Sequence, residues 1–135
     1  MLAAGSGSMV NVASVAGLLG VADRSAYQAS KYGLIGLTRT LAAEWGGRGV
    51  RVNAFCPGWV KTGMDMPTRQ RAATPTPTSI DRVADESVRH PEDVAAAVAY
   101  LADSTPSGYV NGHALSVDGG WYADGSWDSL RLRHR

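Results

Sequence analysis

Two short apolar runs, MVNVAS at residues 9–14 and RVNAFC at residues 51–56, flank one long segment of helical periodicity, and that order constrains the fold more than any other feature. The first is rich in β-branched residues, and both read as nearly continuous apolar runs, as expected of strands buried on both faces. Between them, SAYQASKYGLIGLTRTLAAEW, from Ser25 to Trp45, places Leu34, Leu37 and Leu41 at helical spacing and stops at Gly46 and Gly47. A strand, a helix and a second strand in that sequence read as parallel strands joined by a crossover helix. The pattern then recurs. Pro91 at a first helical turn, with Glu92 and Asp93 near its positive end, opens PEDVAAAVAYLAD, and HALSVDGG supplies a third strand with its closing turn. The expected class is α/β, with three parallel strands and helices covering both faces.

Residues 64–90, with Pro67, Pro75 and Pro77 among many Thr, Ser and Arg residues, show little periodicity; a long loop with a short helix over 79–87 is expected there. Such a segment suits a lid. The tail from residue 124 to 135 carries no fold signal, which leaves one domain over residues 1–123. The 13 basic and 12 acidic residues are spread along the chain and leave a formal net charge of +1, so no basic stripe points to nucleic acid. No apolar stretch is long enough to cross a bilayer, and MLAAGSGS lacks the pattern of a signal peptide. The single cysteine, Cys56, has no intramolecular partner and no zinc-type spacing accompanies it, so a cytoplasmic protein without a metal is expected. With no histidine placed to activate it, Cys56 reads as a small buried hydrophobe rather than a nucleophile.

In open α/β sheets ligands collect at the carboxyl ends of the strands, and Ser14 and Pro57-Gly58 both fall at such ends, on one rim. Tyr27 and Lys31, one turn apart near the start of the long helix, project from one face, and Ser14 closes the strand that precedes them. A free tyrosine ionises near pH 10 and is a poor base near neutrality; a cation one turn away favours its ionised form. A serine hydroxyl that binds a substrate oxygen beside such a tyrosine makes an acid/base site for carbonyl chemistry, of the kind a hydride transfer needs.

These residues resemble those of the short-chain dehydrogenases/reductases, whose active-site serine, tyrosine and lysine match Ser14, Tyr27 and Lys31 in identity and spacing. RVNAFCPGWVKT, PEDVAAAVAYLAD and GHALSVDGG are similar to that family's following strand and Pro-Gly turn, its last helix and its last strand. The resemblance reaches to about Ala123. It implies a partial Rossmann-like doubly wound fold, NAD or NADP as cofactor, and a secondary alcohol or ketone as substrate. Carried over by position, Tyr27 transfers the proton, Lys31 also holds the nicotinamide ribose, and Ser14 orients the substrate. Pro57, Gly58, Val60 and Thr62 then lie along the nicotinamide. A homo-oligomer is also implied.

The family's glycine-rich turn after its first strand has no counterpart here, since Gly5-Ser6-Gly7 precedes a strand instead of joining a strand to a helix. MLAAGSGS reads as the end of a helix that leads into the first strand. Two expectations follow. One is an oxidoreductase with Tyr27 as acid/base; the other is a truncated, inactive remnant without the cofactor-binding half, acting by association with an intact subunit.

Overall fold

The computed structural model describes residues 1–60 and 90–124. Strand β1 (Gly7–Val12), helix α1 (Ser25–Trp45), strand β2 (Val50–Pro57), helix α2 (Pro91–Ala102), a four-residue helix α3 (Ser104–Ser107) and strand β3 (Ala114–Val117) follow in that order. The strands form one parallel sheet in the order β1-β2-β3. Gly7 stands opposite Val50 and Val12 opposite Phe55, while Ala54 to Pro57 face Ala114 to Val117. The expected class and helix boundaries therefore hold, whereas the first strand lies two residues nearer the amino terminus than the apolar run 9–14 indicates. Residues 2–4 form a single helical turn ahead of it, closed by Gly5 in the left-handed region at φ 64°. The lid segment, its predicted helix over 79–87, and the tail beyond Asp124 lie outside the described residues.

Strand β2 is the centre of the molecule. Its even-numbered residues Val50, Val52, Ala54 and Cys56 are fully buried. They pack with Ala13, Ile35 and Ala42, and with the partly buried Met9, Leu34, Leu41 and Trp45. The buried stripe of α1 runs through Ile35, Thr38 and Ala42. This corrects the expected stripe of Leu34, Leu37 and Leu41, because Leu37 is 49% exposed. A threonine can occupy the stripe because its hydroxyl is satisfied on both sides: it donates to the Leu34 carbonyl at 2.8 Å and accepts from Asn11 Nδ2 at 2.9 Å.

The odd-numbered residues of β2 serve the other face, where α2 packs on β1 and β2. Arg51, buried, donates from Nη2 to the Leu101 carbonyl at 3.0 Å and from Nη1 to the Val110 carbonyl at 3.2 Å. The first of these carbonyls belongs to the last turn of α2, where unpaired carbonyls and the helix dipole both favour a cation. Asn53, fully buried, donates to the Val110 carbonyl at 2.9 Å and accepts from the His113 N–H at 3.0 Å. Asn111 spans the two layers, accepting from the Val52 N–H at 2.8 Å and donating to the Ala42 carbonyl at 3.2 Å. Helix α2 starts on Pro91, as expected, and Asp93 accepts the His90 N–H at 3.0 Å.

Candidate active site

The ladder runs one bond past β1, with the Ala13 N–H donating to the Phe55 carbonyl at 2.7 Å, before the chain turns sharply at Ser14. Ser14 is the cap of a single 3-10 turn, Val15–Gly17: its Oγ accepts the Ala16 N–H at 3.1 Å and its carbonyl accepts the Gly17 N–H at 2.9 Å. The side chain is only 8% exposed. Its O–H has no acceptor among the described residues. Ser14 thus sits in the turn after the strand, where the sequence placed it at the strand's last residue.

That turn is pressed onto α1. A β-carbon at Gly17 would lie 2.8 Å from Ile35 Cδ1 and 2.9 Å from the Lys31 carbonyl, closer than side-chain carbons approach, so a glycine alone permits the contact. Gln28 fastens the intervening loop by donating to the Leu19 carbonyl at 2.6 Å. Lys31 then reaches back across the layer, and its Nζ donates to the Val12 carbonyl at 3.0 Å, at the carboxyl end of β1. The same ammonium lies 5.6 Å from the centroid of the Tyr27 ring, within cation–π range. Tyr27 is 45% exposed, and its hydroxyl has no hydrogen-bond partner among the described residues. The structure therefore brings Ser14, Tyr27 and Lys31 to one end of β1, with the cation over the ring of the tyrosine.

Pro57 and Gly58 continue the same rim from the end of β2, partly buried, with the Gly58 N–H donating to the Val117 carbonyl at 3.2 Å. Val60 is partly buried just beyond; Thr62 lies outside the described residues. Cys56, directly beneath, is fully buried, and burial pushes its thiol above the ordinary range; the Ser14 backbone opposes that shift and the Asp118 charge adds to it. It is buried, as the sequence indicated. No group of three or more metal-ligating side chains occurs among the described residues, and no helix there is long and apolar enough to cross a membrane.

The residues that sequence reasoning passed over are Gly17, Gln28 and Asp118. Gly17 was visible only as a loop glycine, because its close approach to α1 depends on a neighbour many residues away. Asp118 was visible only as part of a closing turn.

A parallel sheet of this order, with a serine turn at the end of one strand and a Tyr-x-x-x-Lys helix packed against it, defines the short-chain dehydrogenase/reductase class. The chain belongs to that oxidoreductase family: residues 1–122 match the family model described as enoyl-(acyl carrier protein) reductase. Among its relatives, cis-4-hydroxycyclohexanecarboxylate dehydrogenase of Sinomonas cyclohexanicum is 42% identical over 125 residues, covering 91% of this chain and 48% of its own length. Galactitol 2-dehydrogenase (L-tagatose-forming) of Cereibacter sphaeroides is 43% identical over 123 residues, covering 90% of this chain and 48% of the relative. A crystal structure of a protein described as a 2-deoxy-d-gluconate 3-dehydrogenase from Agrobacterium tumefaciens, with bound NADP, superposes with a TM-score of 0.82 at 39% identity. It covers 91% of this chain and 50% of that one. The chain thus spans about half the length of these relatives.

Proposed function

We propose that this chain provides the acid/base and nicotinamide-side half of an NAD(P)-dependent oxidoreductase that interconverts a secondary alcohol and a ketone. The observation that carries this reading is the buried Ser14 hydroxyl, whose O–H has no acceptor among the described residues, held at the same strand end as Lys31 and, through it, Tyr27. A buried hydroxyl without an acceptor is costly unless something that arrives at the site receives its proton. A substrate oxygen fits that role.

In the reduction direction Ser14 donates a hydrogen bond to the carbonyl oxygen and Tyr27 gives that oxygen its phenolic proton; in oxidation Tyr27 takes the proton from the alcohol. The donor set fits the nicotinamide–ribose end of a dinucleotide, since among the described residues Lys31 uses one N–H on Val12 and has two more to offer ribose hydroxyls. Bound NAD(P) supplies the hydride chemistry. Pro57, Gly58, Val60 and Thr62 line its nicotinamide side in this reading, and relatives described as dehydrogenases of hydroxylated small molecules support an alcohol as substrate. As in the family generally, the working form is an oligomer.

Tyr27→Phe removes the transferable proton and leaves the ring in place. Its kcat/KM for a ketone with NADPH or NADH is expected to fall at least about a hundredfold, with cofactor binding retained. An unchanged rate overturns the assignment. A second reading, in which the chain binds no cofactor unaided and acts by joining a longer family member, is favoured by one observation. Among the described residues β1 is paired on one side only, and Val12 at its end is 52% exposed. Fluorescence titration of the purified chain with NADPH and NADH separates the two, since tight binding by the monomer excludes the second.

A further inference from the structure

Asp118 follows β3 directly and is 7% exposed, and both of its oxygens are used: Oδ1 accepts the Gly120 N–H at 3.0 Å and Oδ2 accepts the Tyr122 N–H at 2.8 Å. The turn it closes passes through Gly119 and Gly120, both left-handed at φ 65° and 87°. A short carboxylate that accepts two backbone N–H groups in such a turn holds it as one rigid piece. That piece lies against the rim. A β-carbon at Gly58 would sit 2.8 Å from both Cα and Cβ of Asp118 and 3.2 Å from its carbonyl oxygen, so the two backbones touch with no space between them. Gly58 is also tied to the residue before Asp118 through the Val117 carbonyl.

We propose that Asp118 is a positioning residue for the nicotinamide side of the site: its carboxylate fixes the turn after β3, and that turn sets the height of the Pro57–Gly58 backbone on the rim. The inference rests on the oxidoreductase reading for its kinetic consequence alone. Tyr27 and Lys31 are placed by other contacts, Gly17 on α1 and Lys31 on Val12, so loss of the Asp118 clamp moves the β2 side of the rim and spares the proton-transfer side.

The chain carries its own reporter. Cys56 is the single cysteine, is buried two residues before Gly58, and lies close enough to feel the charge of Asp118. In the full chain, Asp118→Asn keeps the shape but turns an amide N–H toward a backbone N–H. It is expected to raise the rate of Cys56 labelling by a thiol reagent about tenfold or more at unchanged far-ultraviolet circular dichroism. Gly58→Ala is expected to act in the same direction, and keeps the test decisive should Asp118→Asn fail to fold. With turnover, Asp118→Asn raises KM for NAD(P)H several-fold with an unshifted pH profile, which loss of packing alone does not produce. Unchanged Cys56 labelling in the folded variants, or labelling only at the rate of global unfolding, overturns the proposal. Absence of turnover in the unmodified chain counts against the oxidoreductase reading, while the labelling rates still decide the role of Asp118.

Discussion

The two faces of β2 are built in different ways. Toward α1 the strand presents Val50, Val52, Ala54 and Cys56, and cohesion comes from apolar surface removed from water. Toward α2 it presents Arg51 and Asn53 beside the fully buried Phe55, and side-chain donors aimed at the carbonyls of Leu101 and Val110 add to the apolar burial there. The apolar face brings Tyr27 and Lys31 to the rim, because the helix that carries them is pressed there. The polar face fixes the loop between α2 and β3, and with it the strand that ends in Asp118. Packing thus places Tyr27 and Lys31, and directed hydrogen bonds place the backbone that frames them.

The largest effect is expected from the apolar face. Ile35→Ala, at a residue 3% exposed and in contact with the Gly17 turn, leaves a cavity under the site and costs about 3–4 kcal/mol in denaturant unfolding. Hydrogen exchange then speeds up first in the turn at residues 14–17. Arg51→Met comes next, at about 2–3 kcal/mol, since the carbonyls it served lose a charged donor. Its exchange signature falls on residues 101–113 and leaves α1 protected. If the two variants loosen the same amides, the division between the faces is wrong. Asn111→Ala, which cuts a side chain bonded to both β2 and α1, costs about 1–2 kcal/mol and is expected to be non-additive with both.

The smallest effect concerns Cys56. Burial raises its thiol, so the folded chain holds that proton more tightly than the unfolded one. The resulting stability is complete below the ordinary thiol range near pH 8.5 and is lost as pH rises from there toward the higher value of the folded state. Cys56→Ala is expected to flatten the alkaline side of the stability profile without moving its acid side, which a pH series of unfolding midpoints can check.

Much of this architecture was legible in the residues. Continuous apolar strands and one long helical segment sufficed for the parallel sheet, because those patterns reflect burial on both faces, a property each segment carries by itself. Pro91 with Glu92 and Asp93 marked the start of α2 for a similarly local reason. What escaped was relational. The buried stripe of α1 shifted from Leu37 to Thr38, because the acceptor and donor that make a buried threonine acceptable are Leu34 and the distant Asn11. Arg51 and Asn53 lie inside a run read as apolar, and their partners fifty or more residues on make them its fasteners. Ser14, Tyr27 and Lys31 were legible as a spacing, while the geometry that joins them depends on Gly17, whose role no spacing reveals.

The bond from Lys31 to the Val12 carbonyl has one more consequence. A lysine side chain gives up about 2 kcal/mol of rotamer freedom when it is held in place. Here much of that ordering is incurred when the chain folds, since the ammonium is already tethered over the Tyr27 ring. An oxygen that docks at this rim meets two N–H groups at a fixed station, and its affinity is reduced less by the entropy of gathering a floppy cation.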